Sequence, residues 1–63
     1  MDPADKARLF ARALELSKTS NESLVIMDLL HAGRELGLPV EADFEAPLTK
    51  EYYQYRKEIE RVR

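Results

Sequence analysis

The sequence contains no cysteine and no tryptophan, and it has only one histidine, two glycines and three prolines. Without cysteine the chain can form neither a disulfide framework nor a thiolate metal site. No run of about 18 apolar residues occurs, so no membrane-spanning helix is expected. The first residues are acidic and polar, unlike a secretory signal peptide. Together these features favour a soluble, cytoplasmic protein.

The chain is short, and its charge is unevenly distributed. Its 63 residues predict one domain over residues 1–63. A chain of this length buries only about 60% of its unfolded surface, so its stability is small. The net charge is −2, with +1 in residues 1–20, −5 in residues 21–48 and +2 in residues 49–63. Such zones can steer a partner, but solvated helix faces produce the same pattern.

A first helix is predicted over about residues 3–18. Asp2 is a good N-cap, and Pro3 suits the first helical position because its missing N–H is no loss there. The apolar residues of this segment form a stripe wide enough to pack one helix face. They are Leu9, Phe10, Ala13, Leu14 and Leu16.

A second helix is predicted over about residues 22–36. Thr19 and Glu22 have the spacing of a capping box at its start. Gly37 followed by Leu38 and a proline is typical of a helix end with a left-handed residue. Gly33 lies inside this helix and costs about 1 kcal/mol relative to alanine. We therefore expect it to admit the close approach of a neighbouring helix.

An acidic linker is predicted between the two prolines at positions 39 and 47. Its acidic loop contains Glu41, Asp43 and Glu45 around one large apolar residue, Phe44. We expect Phe44 to anchor this loop to the core, and residues 40–45 have room for a single helical turn.

A third helix is predicted over about residues 50–63, with Thr49 as its N-cap and Leu48 packed on Tyr53 as a hydrophobic staple. Its apolar residues recur with alternating spacings of four and three, which is typical of a coiled-coil seam. The seam contains Leu48, Tyr52, Tyr55, Ile59 and Val62. The chain is therefore predicted to be an all-α, three-helix domain.

The end of the second helix resembles the first half of a helix-turn-helix motif. Gly33, Gly37 and Leu38 match the tight turn between two crossing helices. The match fails at Asp43, where the second helix of the motif needs an apolar residue. The three carboxylates of residues 41–45 would also repel DNA phosphates. Because the match is partial, a small DNA-binding regulator is the alternative function. Because of the carboxylates, nucleic acid is not the favoured partner.

Catalytic and cofactor sites are not predicted. His31 has Asp28 and Glu35 at helical spacing, which offers three possible metal ligands, but such charge pairs are common on helices without catalytic purpose. The sequence has no phosphate-binding glycine loop and no nucleophile motif. We expect neither enzyme activity nor a bound cofactor or metal.

Self-association is the favoured function, because 44% of the residues are hydrophobic and three short helices cannot cover them all. Tyrosine is enriched at interface centres, and three tyrosines cluster in the third helix. A core role for these tyrosines is the competing interpretation. We therefore predict an interaction module that forms a homo-oligomer, most simply a dimer, or binds another helical protein. The candidate interface residues are Leu24, Met27, Tyr52, Tyr55, Ile59 and Val62.

Overall fold

The computed structural model has three α-helices, α1 (Pro3–Thr19), α2 (Val25–Leu36) and α3 (Pro47–Val62). It describes residues 1–19, 24–41, 43 and 45–62, except for the side chain of Val62. The predicted all-α, three-helix fold is confirmed. Two of the predicted helix starts are displaced, as described below.

The core forms where α1 packs on α2 and α3 contacts both of them. Its buried side chains come from all three helices. They are Leu9, Phe10, Ala13, Val25, Leu29, Ala32 and Tyr52. An ion pair links Lys6 to Glu51 at 3.0 Å, near the starts of α1 and α3. Ser17, near the end of α1, and Ile59, near the end of α3, line one cleft. Since their starts and their ends are both close together, α1 and α3 run in the same direction.

The start of α2 differs from the predicted capping box. The N-cap residue is Leu24, with φ −86° and ψ 110°, and its side chain cannot cap the helix. Thr19 remains in α1, where its hydroxyl donates to the Leu16 carbonyl at 3.2 Å. The prediction was wrong for Thr19 because a local bond inside α1 satisfies its hydroxyl. Glu22 lies outside the described residues.

Replacing Leu24 tests this N-cap position. Leu24→Ser and Leu24→Ala remove the same apolar side chain, but only serine can accept a hydrogen bond from the first turn of α2. We expect the serine variant to be more stable by about 1 kcal/mol. Chemical denaturation of both variants measures the difference, and equal stabilities would contradict the assignment.

The end of α2 follows the predicted stop signal. Gly37 has φ 70°, and its N–H donates to the Arg34 carbonyl at 3.4 Å. The Leu38 N–H donates to the Gly33 carbonyl at 2.8 Å. These two bonds form a Schellman motif, which turns the chain back over the last turn of α2.

A side chain at Gly33 would first meet this returning chain, so the expected role of the glycine in helix packing is corrected. A Cβ at position 33 would overlap Val40 Cγ2 and lie 3.1 Å from the Leu38 carbonyl oxygen. Glycine is therefore required by the segment that follows its own helix.

Gly33→Ala is expected to destabilise the fold by about 1–2 kcal/mol, because overpacking outweighs the better helix propensity of alanine. The cost of this change should fall by about 1 kcal/mol when Val40 is also replaced by alanine. A double-mutant cycle in urea measures this coupling. A stabilising Gly33→Ala change in the natural background would refute the close approach.

The start of α3 lies three residues before its predicted position. Pro47 occupies the first turn, and the Lys50 N–H donates to the Ala46 carbonyl at 3.2 Å. The hydroxyl of Thr49, which is buried, donates to the Asp43 carbonyl at 3.0 Å. Thr49 therefore ties the linker to α3 and is not the N-cap. Pro47 begins the helix because proline lacks the N–H that the first turn leaves unpaired.

Candidate interaction surface

Three aromatic rings fill the space between α1 and α3. The Phe10 ring centroid lies 5.4 Å from that of Tyr52 and 5.4 Å from that of Tyr55. Tyr52 is completely buried, and the Arg56 guanidinium lies over its ring, 5.8 Å from the centroid. The structure therefore corrects the assignment of Tyr52 to an interface, because its apolar surface is used inside the chain. Tyr55 is half-buried in the same cluster.

The Tyr52 hydroxyl is a polar group inside this core. It has no hydrogen-bond partner among the described residues. Burial raises its pKa to about 12. The Arg56 charge and the nearby Ser17 hydroxyl oppose this rise, whereas Asp28 and Tyr55 add to it. The neutral phenol is therefore the form that the folded chain favours.

Tyr52 is expected to make stability depend on pH at high pH. Its pKa is higher in the folded chain than in the unfolded chain, so the stabilisation is complete below about pH 10 and is lost as pH rises towards 12. A shift of this size corresponds to about 2–3 kcal/mol. Denaturation from pH 9 to 12 should show that Tyr52→Phe loses less stability than the natural chain.

Tyr53→Phe is the matched control for that comparison, because Tyr53 is 40% exposed. It should keep the pH dependence of the natural chain. If both variants lose the same amount of stability from pH 9 to 12, Tyr52 is not the source of the pH dependence.

The outer side of α2 carries exposed apolar and basic residues. Leu24 is 48% exposed, Met27 is half-buried, and His31 and Arg34 are exposed. Their spacings of three, four and three place them along one helix face. We call Leu24, Met27, His31 and Arg34 the α2 ridge. Two predicted interface residues, Leu24 and Met27, therefore lie together on a surface that the core does not use.

The remaining predicted interface residues lie elsewhere. Ile59 is half-buried and lines a cleft of about 220 Å³ with Leu14, Ser17 and Lys18. The side chain of Val62 lies outside the described part of the chain. The five predicted residues whose side chains are described thus do not form one continuous surface.

The acidic loop borders an open groove near the starts of α1 and α3. Glu41, Asp43 and Glu45 are exposed, whereas Phe44, the predicted anchor, lies outside the described residues. Asp43 accepts the Glu45 N–H at 2.9 Å, and Glu45 pairs with Lys50 at 3.3 Å.

This groove has a volume of about 650 Å³. We call it the N-terminal groove. Its lining residues are Met1, Asp5, Lys6, Leu38, Pro39, Val40, Glu41, Ala46, Pro47, Leu48 and Glu51. The groove was not predicted from the sequence, although the apolar residues after Gly37 and the proline at position 47 are both part of its lining.

The second helix of a helix-turn-helix motif is not formed by the described residues after Gly37. Residues 38–41 are not helical, nor are the described residues of the single turn expected over 40–45. The next helix begins at Pro47. A motif of this kind needs its second helix after three or four residues. The resemblance therefore reflects only the helix end at Gly37.

The three possible metal ligands of α2 point to different surroundings. His31 is exposed and Asp28 is buried. The Glu35 carboxylate accepts hydrogen bonds from Arg12 Nε at 2.6 Å and from Arg12 Nη2 at 3.3 Å. This hydrogen bond lowers the pKa of Glu35 and raises that of Arg12. Within the described residues, no group of three histidine or carboxylate side chains is arranged to hold a metal ion.

Comparisons with protein families, curated proteins and solved structures found no match. In the part of the chain that the structure describes, none of the helices combines the length and hydropathy needed to cross a membrane.

Proposed function

We propose that this chain is a small helical interaction module, located in the cytoplasm, that associates with a second copy of itself and has no catalytic role. The observation that carries the proposal is the α2 ridge, where Leu24 is 48% exposed. When a partner covers Leu24, its apolar surface is removed from water. This burial favours association by about 25 cal/mol per Å² of apolar surface.

The small size of the chain supports the same proposal. Only two α3 residues, Thr49 and Tyr52, are fully buried among those whose side chains are described, so a short stretch of this helix anchors it. Domains of this size have little stability to spare, and an association that favours the folded state raises it by mass action. Another helical protein that presents an apolar face is the alternative partner.

The proposal predicts a folded state that depends on concentration. Sedimentation equilibrium from about 5 to 500 μM should show a monomer and a dimer in exchange, and the thermal midpoint should rise with concentration. Leu24→Ser should weaken dimerisation about tenfold, because the apolar surface it removes is exposed in the monomer.

Tyr53→Ser is the matched control, because it removes a comparably exposed side chain from α3. It should leave the dimerisation constant unchanged. A chain that stays monomeric throughout, with a constant thermal midpoint, would refute the proposed self-association. Equal weakening by both variants would show that the α2 ridge is not the contact surface.

A further inference from the structure

The α2 ridge and the N-terminal groove are adjacent along the chain. Arg34 ends the ridge, and the groove wall begins four residues later, at Leu38. We propose that the α2 ridge and the N-terminal groove together form a two-fold dimer interface. In this dimer the ridge of each copy docks in the groove of the other. This inference rests on the proposed self-association and specifies its contact surface.

The apolar half of the ridge matches the apolar walls of the groove. The ridge presents apolar side chains in its first half, at Leu24 and Met27. The groove has apolar walls formed by prolines, aliphatic residues and Met1. Its volume of about 650 Å³ suits several side chains and is within the usual range for binding clefts, roughly 300–1,000 Å³.

The carboxylates of the N-terminal groove favour an occupant that has a basic end. The charged residues that line the groove are three carboxylates and one lysine, and this lysine, Lys6, is paired with Glu51 at 3.0 Å. Glu41 is exposed and has no ion pair among the described residues. Arg34, the basic end of the ridge, is likewise exposed and has no such pair. Opposite charges across an interface fix its register and suppress other arrangements.

Symmetry favours a second copy over an unrelated partner. A two-fold interface uses the same patch on both subunits, so the patch must be complementary to itself. The ridge contains Arg34 and the groove contains Glu41, neither of which has an ion pair among the described residues. The turn at Gly37 separates the two. A two-fold arrangement therefore forms the Arg34–Glu41 contact twice.

The required area is compatible with the size of the chain. The accessible surface is 4542 Å². A standard interface of about 800 Å² per partner would cover roughly a sixth of it. The ridge alone is one narrow helix face, so an interface of this size would need the groove as well.

Charge reversal of the full-length chain tests this contact. Glu41→Lys and Arg34→Glu each place like charges together in both copies of the contact. Each single variant should weaken dimerisation by roughly tenfold or more in low salt, and this effect should shrink as the salt concentration rises. An equimolar mixture of the two variants should recover the natural affinity, because both contacts in the mixed dimer then pair opposite charges.

Circular dichroism of each variant establishes that the helices are intact, and sedimentation velocity measures association. Weakening by both single variants with recovery in the mixture supports the inference. A dimer that neither reversal affects overturns it and leaves the proposed self-association standing. Weakening without recovery also overturns it. A natural chain that is monomeric at about 500 μM overturns both, and leaves the groove to a different occupant.

Discussion

The reversal of the chain after α2 determines where the rest of the molecule can lie. Gly37 adopts a left-handed conformation, and the Leu38 N–H bonds back to the Gly33 carbonyl. The chain can follow this path because Gly33 has no side chain to meet Val40. Leu38 and Val40 thereby pack against the core, and the linker leads back towards the start of α1. The direction of α3 and the N-terminal groove both follow from this turn.

A compact aromatic cluster then holds α3 in place. Tyr52 lies completely inside the chain, and both it and Tyr55 contact Phe10. Tyrosine provides a large apolar area, but burying its hydroxyl without a hydrogen bond costs free energy. A third helix held by so few side chains is consistent with a monomer of modest stability, for which association has a large relative effect.

The sequence predicted the number of helices, the end of α2 and the apolar face of α3, because each depends on residues close together in the chain. Helix starts were less predictable because several local bonds compete for the same polar groups. Thr19 bonds within α1, and Thr49 bonds to the linker. The partner of Gly33 was also misjudged, since glycine spacing signals a close approach without identifying what approaches.

The candidate interface was the part that sequence could least resolve. A seam such as Tyr52 and Tyr55 has the same spacing whether it packs against its own chain or against another copy. Only the three-dimensional arrangement shows that Phe10 covers it. The groove arises from segments far apart in sequence, so its lining could not be listed from local patterns. The Lys6–Glu51 pair is likewise between residues 45 positions apart.

The places where the chain departs from local rules are informative about function. Leu24 occupies an N-cap position where serine, aspartate or asparagine would stabilise α2. Nearly half of the Leu24 surface is also exposed, so burial of this side chain in the core offsets only part of the missing N-cap hydrogen bond. Departures of this kind are expected at functional sites, where a residue serves a contact outside the folded chain. Arg34 lies on the α2 ridge and Glu41 in the N-terminal groove, and neither has an ion pair among the described residues. A second copy that covers Leu24 would also bring these two charges together.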